Sequence, residues 1–221
     1  MILSEMAYWR VPGICVSYVS PKAEGAKGFG IRNINGEAVS EDTVFCIASC
    51  SKAMTSAVIA MLVSEGKLDY DKPVKEYLPQ FRMADPIAES QTTLRDMLCH
   101  RTGLGPHDGI WPSDCSSSEF EERFAHLAPT APFRKKAQYS NIIYTLAGHV
   151  AQQVTGLSWP DLMKKYLFEP LDMTSTTCAA AELISAADHA EPFQVKDGKL
   201  TQLKIWDVDT VAPAASVNTT G

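Results

Sequence analysis

Ser49 and Lys52 stand three residues apart in Phe45-Cys46-Ile47-Ala48-Ser49-Cys50-Ser51-Lys52. A serine hydroxyl is a weak nucleophile until a neighbouring base takes its proton, and a partly desolvated lysine amine can do so near neutral pH. That base must lie beside the hydroxyl. Residues at i and i+3 share one face of a helix, so the spacing suffices if a helix begins here. Met54, Ala57, Val58, Met61 and Leu62 recur with a period near 3.6, and Gly66 supplies a stop. The pattern predicts a helix from about Cys50 to Glu65. Its N-terminus would add donors and a positive field where an oxyanion develops.

A second cluster, Tyr139-Ser140-Asn141, opens another helical pattern. Ile142, Ile143, Leu146, Ala147, Val150 and Val154 form its apolar stripe, with Gly156 beyond. A phenol can relay a proton to a leaving group. A carboxamide can donate to a substrate carbonyl or hold a lysine in place.

S-x-x-K followed by Y-x-N resembles the serine β-lactamase and penicillin-binding protein superfamily, in its class C β-lactamase, D-alanyl-D-alanine peptidase and family VIII esterase branch. Further stretches carry the resemblance: Val11 to Ser17 as an opening strand, Glu65-Gly66-Lys67-Leu68-Asp69 after the first helix, Leu98-Cys99-His100-Arg101-Thr102-Gly103-Leu104, and Phe168 to Thr176. The resemblance implies an α/β (α+β) chain of the β-lactamase/transpeptidase-like type, an antiparallel sheet with helices plus an inserted helical region. It implies one partial domain over 1–221, with a sheet part at about 1–45 and 190–221 and a helical part at about 46–189. It makes Ser49 the acylated nucleophile, Lys52 the general base and Tyr139 a second acid/base. Asn141 then orients substrate or lysine, and the Ser49 amide is half of an oxyanion hole. His107 and Trp111 fall on a pocket-edge loop as substrate contacts, with His107 and Asp108 able to pair. No metal or organic cofactor is implied.

The family's third motif, K-T-G or H-x-G after Y-x-N, is not legible. Lys196-Asp197-Gly198 reads as a hairpin turn between Phe193-Gln194-Val195 and Leu200-Thr201-Gln202-Leu203, and His107-Asp108-Gly109 precedes Y-x-N. Losing one oxyanion donor costs about a hundred- to a thousandfold in rate. The sequence therefore reads as a C-terminally truncated relative with an incomplete sheet, weakened activity and an open apolar edge. An acyltransferase of secondary metabolism shares the same motifs. An inactive relative with a binding role is the reading from another class.

The remaining elements frame these motifs. Strands are expected near 13–20 and 28–33, with a turn at Asn35-Gly36. A short helix is expected near Thr93–Cys99, a capping box at Ser116-x-x-Glu119, and a helix capped by Ser158 and ended by Pro170. With 45% hydrophobic residues in 221, the chain can bury a real core. A net charge of −6 without a basic cluster argues against nucleic acid as a partner. A small ester or amide is the expected partner. No apolar run reaches membrane length and no signal-peptide pattern opens the chain, so a cytoplasmic location is expected, with an upstream leader left open. The six cysteines show no C-x-x-C or zinc spacing and read as reduced, mostly packed thiols, Cys50 beside the nucleophile being the exception. His100 is expected to make structural hydrogen bonds, and no H-E-x-x-H or H-x-x-E-H motif occurs.

Overall fold

A computed structural model describes residues 1–110 and 116–221. The helices, in chain order, are α1 (Ile2–Trp9), α2 (Ser51–Ser64), α3 (Pro86–Gln91), α4 (Leu94–Leu98), α5 (Ser117–Ala125), α6 (Asn141–Thr155), α7 (Trp159–Met163), α8 (Ala180–Ser185) and α9 (Ala212–Ala215). The strands are β1 (Gly13–Val19), β2 (Glu24–Gly30), β3 (Phe45–Cys46), β4 (Phe193–Lys196), β5 (Lys199–Gln202) and β6 (Asn218–Thr219). They pair antiparallel as β1–β2, β3–β6 and β4–β5.

The second strand starts four residues earlier than the sequence suggests. Ser20 closes a tight turn on Ala23, its N–H and hydroxyl both donating to the Ala23 carbonyl, so pairing begins at Val19↔Glu24. Gly30, at φ +77°, ends the strand. The Asn35-Gly36 turn forms as expected, with Gly36 at φ +83° and an Ile31↔Ala38 bridge closing it. Lys196-Asp197-Gly198 is a hairpin tip: Asp197 and Gly198 both have positive φ, the requirement of a tight two-residue β-turn.

Capping is where the sequence was most readable. Thr93 and Ser116 each form a reciprocal capping box, with Asp96 and Glu119. Ser158 accepts the Asp161 N–H, and Gly156 ends α6 in the left-handed region. Asp96 does more than cap. It is fully buried and also accepts from Arg101 and Arg134. Burial alone would raise its carboxyl; the hydrogen bonds from Arg134, Thr93 and Arg101 outweigh that and hold it below the usual carboxylate range. Three stretches are thereby joined: α4, the turn after it and the loop before Tyr139.

The core lies around α6, buried on nearly every side, with α2, α4 and α7 against it. The buried face of α2 is rotated from the expected stripe. Ser51, Lys52, Thr55, Val58, Ile59 and Leu62 are buried, whereas Met61 is exposed. The reason lies far along the chain. Ser51 Oγ accepts from the Val217 N–H at 3.0 Å, and Thr55 Oγ1 donates to the Pro213 carbonyl at 2.6 Å. Buried hydroxyls with partners pack as well as methyl groups. Residues 211–217, expected with the sheet, thus sit in the helical core, where Val211, Ala212, Ala214 and Val217 are buried. Of the described cysteines only Cys178 is buried, its thiol pushed up to about 12 chiefly by burial; Cys46 and Cys99 are exposed, against the expectation of packed thiols, and Cys50 is exposed as well.

Gly148 makes the approach of α9 to α6 possible: a Cβ there would lie 2.3 Å from Pro213 Cγ and 2.6 Å from its Cβ. Gly148→Ala should destabilise the fold by about 1–3 kcal/mol through overpacking. Urea unfolding measures this, and an unchanged midpoint would show that α9 moves away at no cost.

Candidate active site

Ser49 sits in a short 3-10 turn, Ala48–Cys50, that leads directly into α2. The approach to the turn is clamped from both sides. Val44 N–H donates to Asp188 O while Ala190 N–H donates to Val44 O, and Ile47 N–H donates to Val217 O. Ser51 Oγ donates to the Ala48 carbonyl at 2.6 Å. Ala48 itself has φ +45°, a conformation that costs a non-glycine residue free energy and persists only where its surroundings enforce it. Ser49 emerges exposed at the top.

Lys52 is the converse, an amine with 7% of its surface exposed. Its Nζ lies 3.2 Å from Ser49 Oγ, 2.8 Å from Asn141 Oδ1 and 2.9 Å from the Ala214 carbonyl. Three acceptors match the three N–H groups of an ammonium. The amine also lies over the rings of Tyr139, 4.6 Å to the centroid, and Tyr144, at 5.6 Å. Tyr139 OH donates to Ser49 Oγ at 2.6 Å. Lys52 and Tyr139 thus meet at Ser49 Oγ, and Asn141 joins them through Lys52.

Asn141 had two readings, donor to substrate or holder of lysine. Its Oδ1 faces Lys52, and its Nδ2 donates to Asp108 Oδ1 at 3.1 Å. An ammonium can only donate and a carboxylate only accept, so these partners fix the amide orientation. His107 is bonded to the loop before Tyr139. Its Nε2 bonds the Ala128 carbonyl at 3.1 Å and ties the loop to the segment before Tyr139. Trp111 lies outside the described residues.

Tyr139 is placed by the His100 turn. His100, at φ +56°, accepts the Gln138 N–H on its carbonyl at 2.7 Å and the Ser140 N–H on Nδ1 at 3.2 Å. Its ring lies against those of Tyr139 and Tyr144, at 4.7 and 5.2 Å between centroids. The structural role expected of His100 is the one observed. Sequence reading missed Tyr144, although its i+3 spacing from Asn141 was a signal. It also missed the Ala214 carbonyl and the Ala48 strain, for which no side chain gives one. Among the described residues no group of three His, Cys, Asp or Glu is placed to hold a metal ion.

The Ser140 N–H requires Nδ1 of His100 to be unprotonated. Burial first, and the Lys52 charge second, lower the His100 pKa from 6.5. As pH falls below 6.5 the unfolded chain takes up this proton first, so the His100 contribution is present above that pH and is lost through the lower folded value. The stability difference between wild type and His100→Gln should therefore shrink from pH 7.5 to pH 5. A constant difference across that range, measured by urea unfolding, would remove His100 from the acid response.

The chain that carries this arrangement is similar to known proteins over most of its length. The Beta-lactamase family model matches residues 7–221. The unguisins hydrolase of Aspergillus violaceofuscus is 28% identical over 186 residues, 79% of this chain and 33% of that protein. The esterase/beta-lactamase LipL of Mycobacterium tuberculosis is 33% identical over 134 residues, 60% of this chain and 30% of that one. The chain thus spans about a third of the length of these curated relatives. Among solved structures, the octameric penicillin-binding protein homologue from Pyrococcus abyssi superposes with a TM-score of 0.80 at 25% identity, over 99% of this chain and 52% of that one. Matched from residue 7 to residue 221, and sharing this fold, the chain belongs to the beta-lactamase family, within the superfamily of serine β-lactamases and penicillin-binding proteins.

Proposed function

We propose that this chain is a serine hydrolase that cleaves an ester or amide through an acyl-enzyme on Ser49. The observation that carries the reading is the convergence on Ser49 Oγ of Lys52 Nζ at 3.2 Å and Tyr139 OH at 2.6 Å. Lys52, once its ammonium has released a proton to solvent, takes the hydroxyl proton while Oγ attacks the substrate carbonyl carbon. The carbonyl oxygen becomes an oxyanion beside the Ser49 N–H, at the positive end of the turn and helix that follow. As the bond to the leaving group breaks, Tyr139 gives that alcohol or amine a proton. Water then attacks the Ser49 ester, its proton passing to the same pair. The acid departs and the serine is restored. Asn141 and Ala214 act through Lys52, holding the amine within reach of the oxygen.

Intact mass after exposure to a fluorophosphonate probe tests the nucleophile. A single adduct is expected on wild type and none on Ser49→Ala; an adduct retained by the variant would move the nucleophile elsewhere. Lys52→Ala and Tyr139→Phe should each lower kcat/KM for a 4-nitrophenyl ester by about 10²–10⁴-fold, the usual worth of a positioned acid or base. Unchanged rates in both would refute their assigned roles.

A further inference from the structure

Asp108 stands outside the S-x-x-K and Y-x-N motifs, yet its carboxylate is one amide away from the Lys52 amine. Asn141 Nδ2 donates to Asp108 Oδ1 at 3.1 Å, and Asn141 Oδ1 lies 2.8 Å from Lys52 Nζ. Asp108 is exposed and opens the 3-10 turn Asp108–Ile110. The loop that carries it is pinned. The Gly103 carbonyl accepts the Thr130 and Ala131 N–H groups, Leu104 is buried, and His107 Nε2 bonds the Ala128 carbonyl at 3.1 Å. His107 itself has φ +44°, a conformation that a non-glycine residue keeps only where its surroundings enforce it. Fixed supports therefore deliver the Asp108 carboxylate to Asn141.

What this bond controls follows from counting donors. An ammonium has three N–H groups, and Ser49 Oγ, Asn141 Oδ1 and the Ala214 carbonyl take one each. In the mechanism above the base is the neutral amine, which has two N–H groups and one lone pair. If Asn141 Oδ1 and the Ala214 carbonyl keep the two N–H groups, the lone pair is left for the Ser49 hydroxyl proton. If the Asn141 amide turns over, its Nδ2 donates to that lone pair instead. An N–H then faces Ser49 Oγ, and the base is blocked. The ammonium opposes this turnover, because donor would face donor, but the neutral amine does not. A carboxylate on Nδ2 opposes it in both states, since it accepts and cannot donate.

We propose that Asp108 is a positioning residue for the acylation of Ser49. It locks the Asn141 amide with its oxygen on Lys52 and so keeps the lysine lone pair on the Ser49 proton. The inference rests on the hydrolase reading and adds a residue to its mechanism. In the step it serves, the Ser49 O–H bond breaks and the proton passes to the Nζ lone pair. Oγ bonds the substrate carbonyl carbon, and the carbonyl π pair moves onto oxygen. Asp108 exchanges no proton.

The test is the second-order rate of Ser49 labelling by a fluorophosphonate, followed by intact mass, which needs the same base and no known substrate. Asp108→Ala should slow labelling by about 10–100-fold, the usual worth of a hydrogen bond to a charged group. Asp108→Asn should recover most of that loss, because its side-chain oxygen can accept the same Nδ2–H. On an Asn141→Ala background, with no amide left to lock, Asp108→Ala should have no further effect. A role confined to folding the loop would persist on that background. Three results each overturn the lock: a wild-type rate in Asp108→Ala, an Asp108→Asn rate as slow as that of Asp108→Ala, or an equal loss on the Asn141→Ala background. In all three the Ser49 adduct on wild type still upholds the hydrolase reading. No adduct on wild type overturns the hydrolase reading, and the lock falls with it.

Discussion

An amine cannot be buried without partners, and the Lys52 amine finds three: Ser49 Oγ, Asn141 Oδ1 and the Ala214 carbonyl. These oxygens come from the turn before α2, the start of α6 and the short helix α9. Satisfying one nitrogen therefore fixes how three distant stretches meet. The same face of α2 extends the arrangement with Ser51 and Thr55, whose hydroxyls meet the backbone at Val217 and Pro213. Gly148 completes it by leaving room for Pro213 against α6. Much of what is buried around Ser49 follows from this one requirement.

Ser49 and Tyr139 are held by independent means. On one side, strand hydrogen bonds clamp residues 44–47 and keep Ala48 at a positive φ, which presents Ser49 to solvent. On the other, the buried Asp96 carboxylate binds Arg101 and Arg134 and so fixes the His100 turn beside the loop into Tyr139. His100 then sets the peptide and ring of the Tyr139–Ser140 pair. The two halves touch through the 2.6 Å contact from Tyr139 OH to Ser49 Oγ.

Residue types and short spacings were enough to name Ser49, Lys52, Tyr139 and Asn141, the helices that begin at them, the short helix at Thr93 and the capping box at Ser116. Each of these is local: an i,i+3 pair or a cap is decided within one helical turn. The hairpin at Asp197-Gly198 was legible for the same reason. Other features came only with the tertiary structure. They include the rotated face of α2, the place of residues 211–217 in the helical core, the Ala48 strain, the Ala214 carbonyl on Lys52, and the committed rings of His100 and His107. Each depends on a partner 20 to 170 residues away, by the order of the separations seen in such contacts, and most involve a backbone atom or a buried hydroxyl. Backbone groups are the same at every position, so no pattern of side chains announces which carbonyl a lysine will meet. Only the packed chain decides that.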